Sequence, residues 1–229
     1  MRHLLASTVL AVTLASPVVA EGSRTLVELF TSQGCSSCPP ADALLAELAA
    51  RDDVLALSLH VDYWDYLGWK DDLADPAYTA RQKGYAHEWS ARQIYTPQIV
   101  VNGRTPVVGS KPGKVLSAVD TAQAAPVAFD LARGDGGVQV VARALGTLPD
   151  QLTIHVVHYT PRVERDIEGG ENSGRSVTYH NVVTGWTVAG QWDTFAPLDR
   201  VLPVQRDGAV AVILQDGASG PVIAAAAIP

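Results

Sequence analysis

The sequence contains little sulfur: 229 residues include two cysteines, Cys35 and Cys38, and a single methionine, Met1. One methionine excludes a methionine-rich site for a soft metal such as copper(I). Two cysteines exclude a small domain that several disulfides hold together. The sequence also lacks a phosphate-binding loop, a dinucleotide-binding fingerprint and a nucleophile elbow, so it offers no evidence for three common kinds of active site.

Positive charge is also scarce, with 17 basic against 24 acidic residues and a formal net charge of −7. Nucleic acids and anionic membrane surfaces attract basic proteins, so this balance argues against both as partners. After residue 20, no apolar run is long enough to cross a bilayer. We therefore expect no membrane span once a leader has been removed.

The first 20 residues have the three parts of a secretory signal. Arg2 and His3 give a basic start, Leu4 to Leu14 form an apolar core, and Val18 to Ala20 offer small residues before a cut. This pattern predicts that the mature chain begins at Glu21. It also predicts a secreted protein, which in a bacterium means the periplasm.

Both cysteines lie in one motif, Cys35-Ser36-Ser37-Cys38, directly before a stretch that favours a helix. Two thiols three residues apart can form and break a disulfide with little backbone movement. The free N–H groups of a helix start favour a thiolate, which is the species that attacks disulfides. The motif predicts thiol–disulfide redox chemistry, with a purely structural disulfide as the alternative.

The first half of the chain alternates strand and helix patterns. A strand, a helix after a double proline and a second strand form a unit that pairs its strands in parallel. Together with the later elements, this unit predicts an α/β domain over residues 21–124. The predicted elements are a strand at 25–30, a helix at 39–50, a strand at 54–61, a helix at 77–90, a hairpin around Asn102-Gly103 and a helix from Ser110.

The second half has short alternating strands with turn residues between them and no helical period. Such a pattern predicts a mainly antiparallel, sandwich-like β domain over residues 125–229. A dense turn cluster, Gly169 to Arg175, is typical of a flexible hairpin loop, or else lines a binding site. The predicted strands cover 127–131, 138–145, 152–159, 175–184, 209–214 and 222–226.

The order of elements over residues 24–123, with CxxC at a helix start and X-Pro before a hairpin, resembles the thioredoxin fold. More narrowly, the whole chain resembles a family of secreted bacterial proteins of unknown function. The motifs that carry this resemblance are Glu28 to Pro40, His60 to Asp65 and Tyr95 to Gln98. The resemblance implies a thioredoxin-like domain, with an aromatic helical insertion at about 62–88, joined to a β-rich C-terminal domain.

The resemblance also implies roles for individual residues. Cys35 matches the attacking cysteine, and Cys38 matches the buried cysteine that resolves mixed disulfides. Pro97 matches a cis-proline beside the disulfide, and Thr96 would present its backbone to a substrate strand; a trans proline at a strand start is the alternative. Glu28 lies near the position of a buried acid that exchanges a proton with the second cysteine, unless it is a solvated carboxylate.

The sequence therefore predicts a periplasmic or secreted thiol–disulfide oxidoreductase whose substrates are protein or small-molecule thiols and disulfides. It predicts no cofactor and no bound metal. The alternative is a binding module or metallochaperone whose C-terminal domain recognises a client. No pattern favours oxidation over reduction or isomerisation, and none indicates an oligomeric state.

Overall fold

The structure is a computed structural model that describes residues 19–123, 126–134, 136–204 and 208–229. Residues 1–18, most of the predicted leader, lie outside the described residues, as do residues 124 and 125 at the predicted domain boundary. Val19 and Ala20, which end the predicted leader, belong to a described strand.

The described chain contains three helices and twelve strands. The helices are α1 (Pro39–Ala49), α2 (Pro76–Glu88) and α3 (Pro112–Asp120). The strands are β1 (Val19–Glu21), β2 (Thr25–Thr31), β3 (Val54–His60), β4 (Gln98–Val101), β5 (Thr105–Val108), β6 (Val127–Gly134), β7 (Gly137–Ala144), β8 (Gln151–Ile167), β9 (Arg175–Asp193), β10 (Leu198–Leu202), β11 (Ala209–Gln215) and β12 (Val222–Ile228). Two 3₁₀ turns lie at Asp65–Leu67 and Gly170–Asn172.

Most strands belong to one mixed sheet of eight, in the order β12-β11-β8-β9-β3-β2-β4-β5. The β2–β3 pair is parallel, with Thr31 opposite His60, as the strand–helix–strand pattern predicts. The predicted hairpin is confirmed by the antiparallel β4–β5 pair. A second sheet, β1-β6-β7-β10, has four strands.

The predicted fold class, a thioredoxin-like α/β domain followed by a separate β sandwich, is wrong. Strand β9 from the second half pairs in parallel with β3 at Ser58 and Val182, and Asn181 Nδ2 donates to Ala56 O at 2.8 Å. The physical reason is that β3 is buried along its whole length, so its open backbone edge has to be paired. The change in sequence pattern near residue 125 therefore does not separate two sheets, because strands from both sides of it belong to the same large sheet.

The large sheet bends so that β12 returns to the start of β2. Arg24 N donates to Ala225 O at 2.7 Å, and Val222 N donates to Asn102 O at 2.9 Å. The bend encloses an apolar cluster that contains Phe30, Leu57, Tyr85 and residues of the second half. One core therefore draws on both halves of the chain.

Two further apolar clusters cover the remaining surfaces of the large sheet. One lies between the four-stranded sheet and the outer face of β8, β11 and β12, with Phe129 and Val156 among its members. The other lies under α1 and α3, with Leu45 and Val115 among its members. Helix α1 thus packs on one face of β2 and β3, whereas Tyr78 and Tyr85 of α2 pack on the other.

No helix in the described part of the chain is both long and apolar enough to span a membrane.

Candidate functional site

Cys35 and Cys38 form a disulfide at the beginning of α1, with their Cα atoms 5.4 Å apart. Cys38 is the N-cap residue, and its carbonyl accepts hydrogen bonds from the amides of Ala41 and Asp42. Ser36 and Ser37 are exposed, whereas Cys35 and Cys38 are only 2 % and 0 % exposed. The disulfide therefore lies just beneath the surface of a sharp turn.

The local sequence explains why the helix starts here. Pro39 and Pro40 occupy its first positions, where the missing N–H groups cost nothing and the fixed φ suits a helix. Ser32 stabilises the preceding turn, because its hydroxyl accepts a hydrogen bond from Gly34 N at 3.1 Å and its carbonyl accepts one from Cys35 N. The cysteines are thus held between a tight loop and a fixed helix end.

Asp42 lies one helical turn beyond Cys38, on the buried side of α1. Residues i and i+4 are neighbours on a helix surface, so Asp42 follows Cys38 on the same side of the helix start. Its Oδ1 atom accepts a hydrogen bond of 2.8 Å from the Thr31 hydroxyl. Burial raises the pKa of Asp42 to about 7, even though His60 and Thr31 oppose the rise, and the negative charge of Asp71 adds to it.

His60 lies at the end of β3, beside Thr31 and on the same face of the sheet. Its Nδ1 atom is 2.8 Å from Asp71 Oδ2, and both side chains are fully buried. Its Nε2 atom is also buried and has no hydrogen-bond partner among the residues that the structure describes. Burial alone would raise the pKa of Asp71, but the charge of His60 and the hydrogen bonds to Asp71 outweigh it and lower that pKa.

Asp71 also ties this cluster to the loop before the cysteines. Its Oδ2 atom accepts a 2.8 Å hydrogen bond from Gln33 N. The Gln33 side chain accepts from Trp69 Nε1 at 2.7 Å and donates to Asp72 at 3.0 Å. The cysteine loop is therefore anchored to the aromatic segment that follows β3.

The hairpin between β8 and β9 reaches the same loop from the second half of the chain. Asn172 Nδ2 donates to the carbonyl oxygens of Gln33 and Cys35, both at 2.9 Å. Gly169 and Gly170 pack against Trp69 so closely that a Cβ atom on either residue would crowd it. The turn cluster at Gly169 to Arg175 thus lies at the candidate site.

Thr96 and Pro97 lie on another side of α1, and the peptide bond between them is cis, as expected. The Thr96 hydroxyl accepts a 2.7 Å hydrogen bond from Trp64 Nε1, and Trp64 also packs against Gly34. Pro97 and Ala41 of α1 both lie against Gly109. The structure thus brings Thr96 and Pro97 to the beginning of the helix that carries the cysteines.

Glu28 is not brought to the disulfide. It shares a face of β2 with Leu26 and Phe30, which lie in the cluster under α2, whereas α1 covers the opposite face. Its carboxylate accepts hydrogen bonds from Arg81 Nε and the Tyr85 hydroxyl, both at 2.5 Å. In this position Glu28 is one partner of a buried, hydrogen-bonded ion pair that joins β2 to α2.

Sequence reasoning missed Asp42, Asp71 and Asn172. A signal for Asp42 was present, because an acid one turn after Cys38 interrupts the apolar positions of α1. Asp71 and Asn172 reach the cysteine loop through tertiary contacts over 38 and 137 residues of sequence, and no local pattern marks such contacts.

Among the side chains that the structure describes, no group of three or more His, Cys, Asp or Glu residues could hold a metal ion. A groove of about 550 Å³ lies elsewhere, between the β4–β5 turn, the end of α3 and the β11–β12 connection. The hairpin end of this groove, at Asn102, bonds to Leu26 near the start of β2, whereas the cysteines follow the end of β2. The groove and the disulfide are therefore separate features.

Comparison with known proteins assigns the family. Residues 26–215 match a family described as "Protein of unknown function (DUF1223)", and the chain belongs to that family. No curated protein matches the chain.

Two solved structures are similar to this one. A crystal structure of a protein from Agrobacterium tumefaciens has a TM-score of 0.78 and 31% sequence identity, and the match covers 91% of this chain and 95% of that one. HBP35 of Porphyromonas gingivalis has a TM-score of 0.60 and 11% identity, over 91% of this chain and 76% of that one. The second likeness concerns the fold alone.

These findings also correct the resemblance on which the sequence analysis relied. The family is one of unknown function, and the structure is a mostly β, mixed sheet without a separate thioredoxin-like domain. Two findings remain, the membership of the family and the Cys35–Cys38 disulfide. Roles that the resemblance implied for individual residues have to be supported by the geometry of this site.

The raised pKa of Asp42 predicts a particular dependence of stability on pH. Between the unfolded pKa near 3.8 and the folded value of about 7, the folded chain holds a proton at Asp42 that the unfolded chain has lost. Stability therefore falls as pH rises through this window. We expect Asp42→Asn to gain stability relative to the parent between pH 4.5 and pH 8, by at most about 4 kcal/mol.

Urea unfolding of both proteins at several pH values measures this difference. His60, Asp71 and Tyr179 are the titratable groups that face Asp42 from the neighbouring elements, and all three remain in the variant. A stability difference that stays constant from pH 4.5 to pH 8 would contradict the buried, protonated Asp42.

Proposed function

We propose that this protein is a thiol–disulfide oxidoreductase that works after export, in an oxidising compartment. The observation that carries the proposal is the Cys35–Cys38 disulfide at a helix start, with a buried carboxyl of raised pKa one turn further on. A disulfide that closes so short a loop stabilises a fold less than one that closes a long loop, which favours reactivity over structural support. The leader-like pattern of residues 1–20 supports export.

In the proposed reaction, a partner thiolate attacks Cys35 Sγ and the Cys35–Cys38 bond breaks. Cys38 leaves as a thiolate, and the electron pair of the broken bond stays on its sulfur. In the reverse direction the Cys38 thiol loses its proton, attacks the mixed disulfide at Cys35 and releases the partner thiolate. A dithiol partner is oxidised by two electrons when its second thiolate attacks the partner sulfur of the mixed disulfide and Cys35 leaves as a thiolate. A partner disulfide is reduced by two electrons when the Cys35 thiolate attacks it, one partner thiolate leaves, and Cys38 then releases the other.

Asp42 is the group we propose to exchange a proton with Cys38. A proton acceptor works best when its pKa lies near the operating pH, and the pKa of Asp42 is about 7. Thr31 orients the carboxyl, while the His60–Asp71 pair sets the charge around it. Glu28, which the sequence suggested for this role, is already bonded to Arg81 and Tyr85.

Thr96 and Pro97 are proposed as the side of the site where a partner approaches. Thr96 is half-buried beside Trp64, and Pro97 lies at the beginning of α1. The exposed Ser36 and Ser37 complete an accessible rim around the turn. Bulky replacements at Thr96 would narrow this approach without touching the sulfurs.

A redox titration of the purified protein tests the proposed function. We expect a reversible two-electron couple between about −120 and −270 mV, the range of disulfide catalysts. The measurement equilibrates the protein in thiol–disulfide buffers and counts alkylated cysteines by mass. A pair that stays oxidised below about −300 mV would instead be a structural disulfide.

Single cysteine variants test the assignment of roles. Cys38→Ser leaves Cys35 without a resolving thiol, so mixed disulfides with partners should accumulate and be visible on non-reducing gels. Cys35→Ser is the matched control and should trap far less, because Cys38 is fully buried as the N-cap residue of α1, whereas Cys35 keeps a small exposed surface next to the exposed Ser36. Equal trapping by the two variants would contradict the assignment of Cys35 as the attacking cysteine and Cys38 as the resolving cysteine.

The role of Asp42 predicts a change in the pH profile of disulfide closure. In the reduced protein treated with glutathione disulfide, the rate at which Cys38 resolves the mixed disulfide should show an inflection near pH 7. Asp42→Asn should lose this inflection and slow resolution at pH 7 by about 100-fold. Rapid acid quenching followed by mass analysis gives the rates.

Glu47→Gln is the control for this experiment, because Glu47 is an exposed carboxylate on the same helix. It should leave both rate and profile unchanged. If Asp42→Asn keeps the inflection while the protein still exchanges disulfides, another group carries the proton.

A further inference from the structure

In the conformation that the structure shows, the disulfide offers very little surface to an attacking thiolate. Thiol–disulfide exchange requires a thiolate to reach a sulfur atom, and Cys35 is 2 % exposed while Cys38 is 0 % exposed. Some neighbouring element therefore has to move before a partner can attack. The candidates are the elements that contact the cysteine turn.

The tip of the β8–β9 hairpin, residues 168–174, buries a single side chain, and that side chain is polar. Asn172 is its buried residue, at 2 % exposure, and the remaining tip side chains are half-buried or exposed. Helix α1, in contrast, is held through Leu44, Leu45 and other buried residues of an apolar cluster. Local opening takes place where few apolar contacts are lost, which points to the tip.

The strands that carry the tip extend beyond the rest of the large sheet, and Tyr179 of β9, which packs against His60, is the buried aromatic residue at the base of this extension. β8 pairs with β11 over Thr153 to Tyr159, and β9 meets β3 at Val182. Beyond those points the described ladders pair β8 and β9 with each other alone. Glycines at 169, 170 and 174 add conformational freedom, and two of them have positive φ.

We call Asn172 the latch of this tip, because its side chain bonds the tip to the cysteine loop. Both of its described hydrogen bonds are donated by Nδ2, to Gln33 O and Cys35 O, and its Oδ1 atom is buried without a partner. The outer contact that supports the latch, an ion pair between Arg165 and Asp72, is partly exposed and therefore weak. Once the Asn172 hydrogen bonds break, the described contacts that still hold the tip are the packing of Gly169 and Gly170 against Trp69.

Release of the latch leaves Gln33 O without a described donor and leaves Cys35 O with only the hydrogen bond of 3.2 Å from Cys38 N. Unpaired carbonyls are costly, so an arriving partner gains by supplying N–H groups to Gln33 O and Cys35 O. An extended polypeptide around a cysteine carries such groups in its backbone, whereas a simple thiol carries none.

Resting on the proposed function, we infer that the tip of the β8–β9 hairpin is a gate over Cys35, latched by Asn172, and that it selects cysteine-containing polypeptide segments as substrates. A peptide thiolate attacks Cys35 Sγ, the Cys35–Cys38 bond breaks, and Cys38 leaves as a thiolate that takes up a proton. The peptide backbone takes the place of the Asn172 amide on the two carbonyls.

The experiment measures how fast three thiols open the disulfide of the full-length oxidised protein. The probes are 2-mercaptoethanol, an unstructured peptide with one cysteine, and the same peptide N-methylated at the residues flanking that cysteine. The Cys38 thiol that is released is alkylated and quantified by mass. Each rate is divided by that thiol's rate with a small reference disulfide.

We expect Asn172→Ala to raise all three rates by about tenfold, because every partner has to pass the gate. Ser173→Ala, in the same tip, is the control and should change no rate more than twofold. In the parent protein, the normalised rate of the peptide should exceed that of its N-methylated form at least fivefold. Asn172→Asp, which has no N–H group to donate, should open the gate as well and serves if the alanine variant folds poorly.

The possible negative results distinguish between the gate, the substrate selection and the proposed function. Rates unaffected by both Asn172 variants would overturn the gate while the oxidoreductase proposal stands. Equal rates for the peptide and its N-methylated form would overturn polypeptide selection. A parent protein whose disulfide none of the three thiols opens, and which shows no couple in the redox titration, would instead contradict the proposed function itself.

Discussion

The parallel pairing of β2 with β3 is the constraint on which the rest of this structure depends. Parallel strands end at the same edge of a sheet, so the loops that follow Thr31 and His60 begin side by side. One loop carries the cysteines into α1, and the other carries the aromatic segment with Trp64 and Asp71. Because both strands are buried on both faces, helices have to cover each side, and α1 is thereby fixed above Thr31 and His60. The disulfide, its buried carboxyl and its histidine meet for this reason.

Local sequence predicted the parts of this arrangement but not their assembly. The apolar runs, the double proline and the Asn-Gly turn gave the strands, the helix start and the β4–β5 hairpin, because each is set by neighbouring residues. The joining of β9 to β3 could not be read in the same way. Any strand with alternating apolar and polar residues can pair with the open edge of β3. The pairing of Ser58 with Val182 is therefore not marked by a sequence pattern in either strand. For the same reason, the sequence does not predict that Asn172 lies beside Cys35. It does predict the turn cluster that contains Asn172.

The two faces of β2 carry two buried polar systems with opposite character. Under α2, the Glu28 carboxylate is matched by Arg81, by the Tyr85 hydroxyl and, through them, by Gln215, so charge and hydrogen bonds are balanced. Under α1, Asp42 holds a raised pKa and His60 Nε2 lacks a partner. A fully paired buried network is costly to alter, because removal of one member leaves the other buried groups without a hydrogen-bond or ion-pair partner. Burial places the pKa of Asp42 at about 7, so this carboxyl can gain or lose a proton near neutral pH, and it belongs to the polar system on the disulfide side of β2.

The closing of the large sheet by its last strand bears on the order of events during folding. The Ala225 amide bonds to the Ser23 hydroxyl across 202 residues, so the enclosed core is incomplete until nearly the whole chain is present. Topologies with such distant contacts fold slowly. The two cysteines, three residues apart, need none of those contacts to meet. The disulfide can therefore form before the last strand has closed the large sheet.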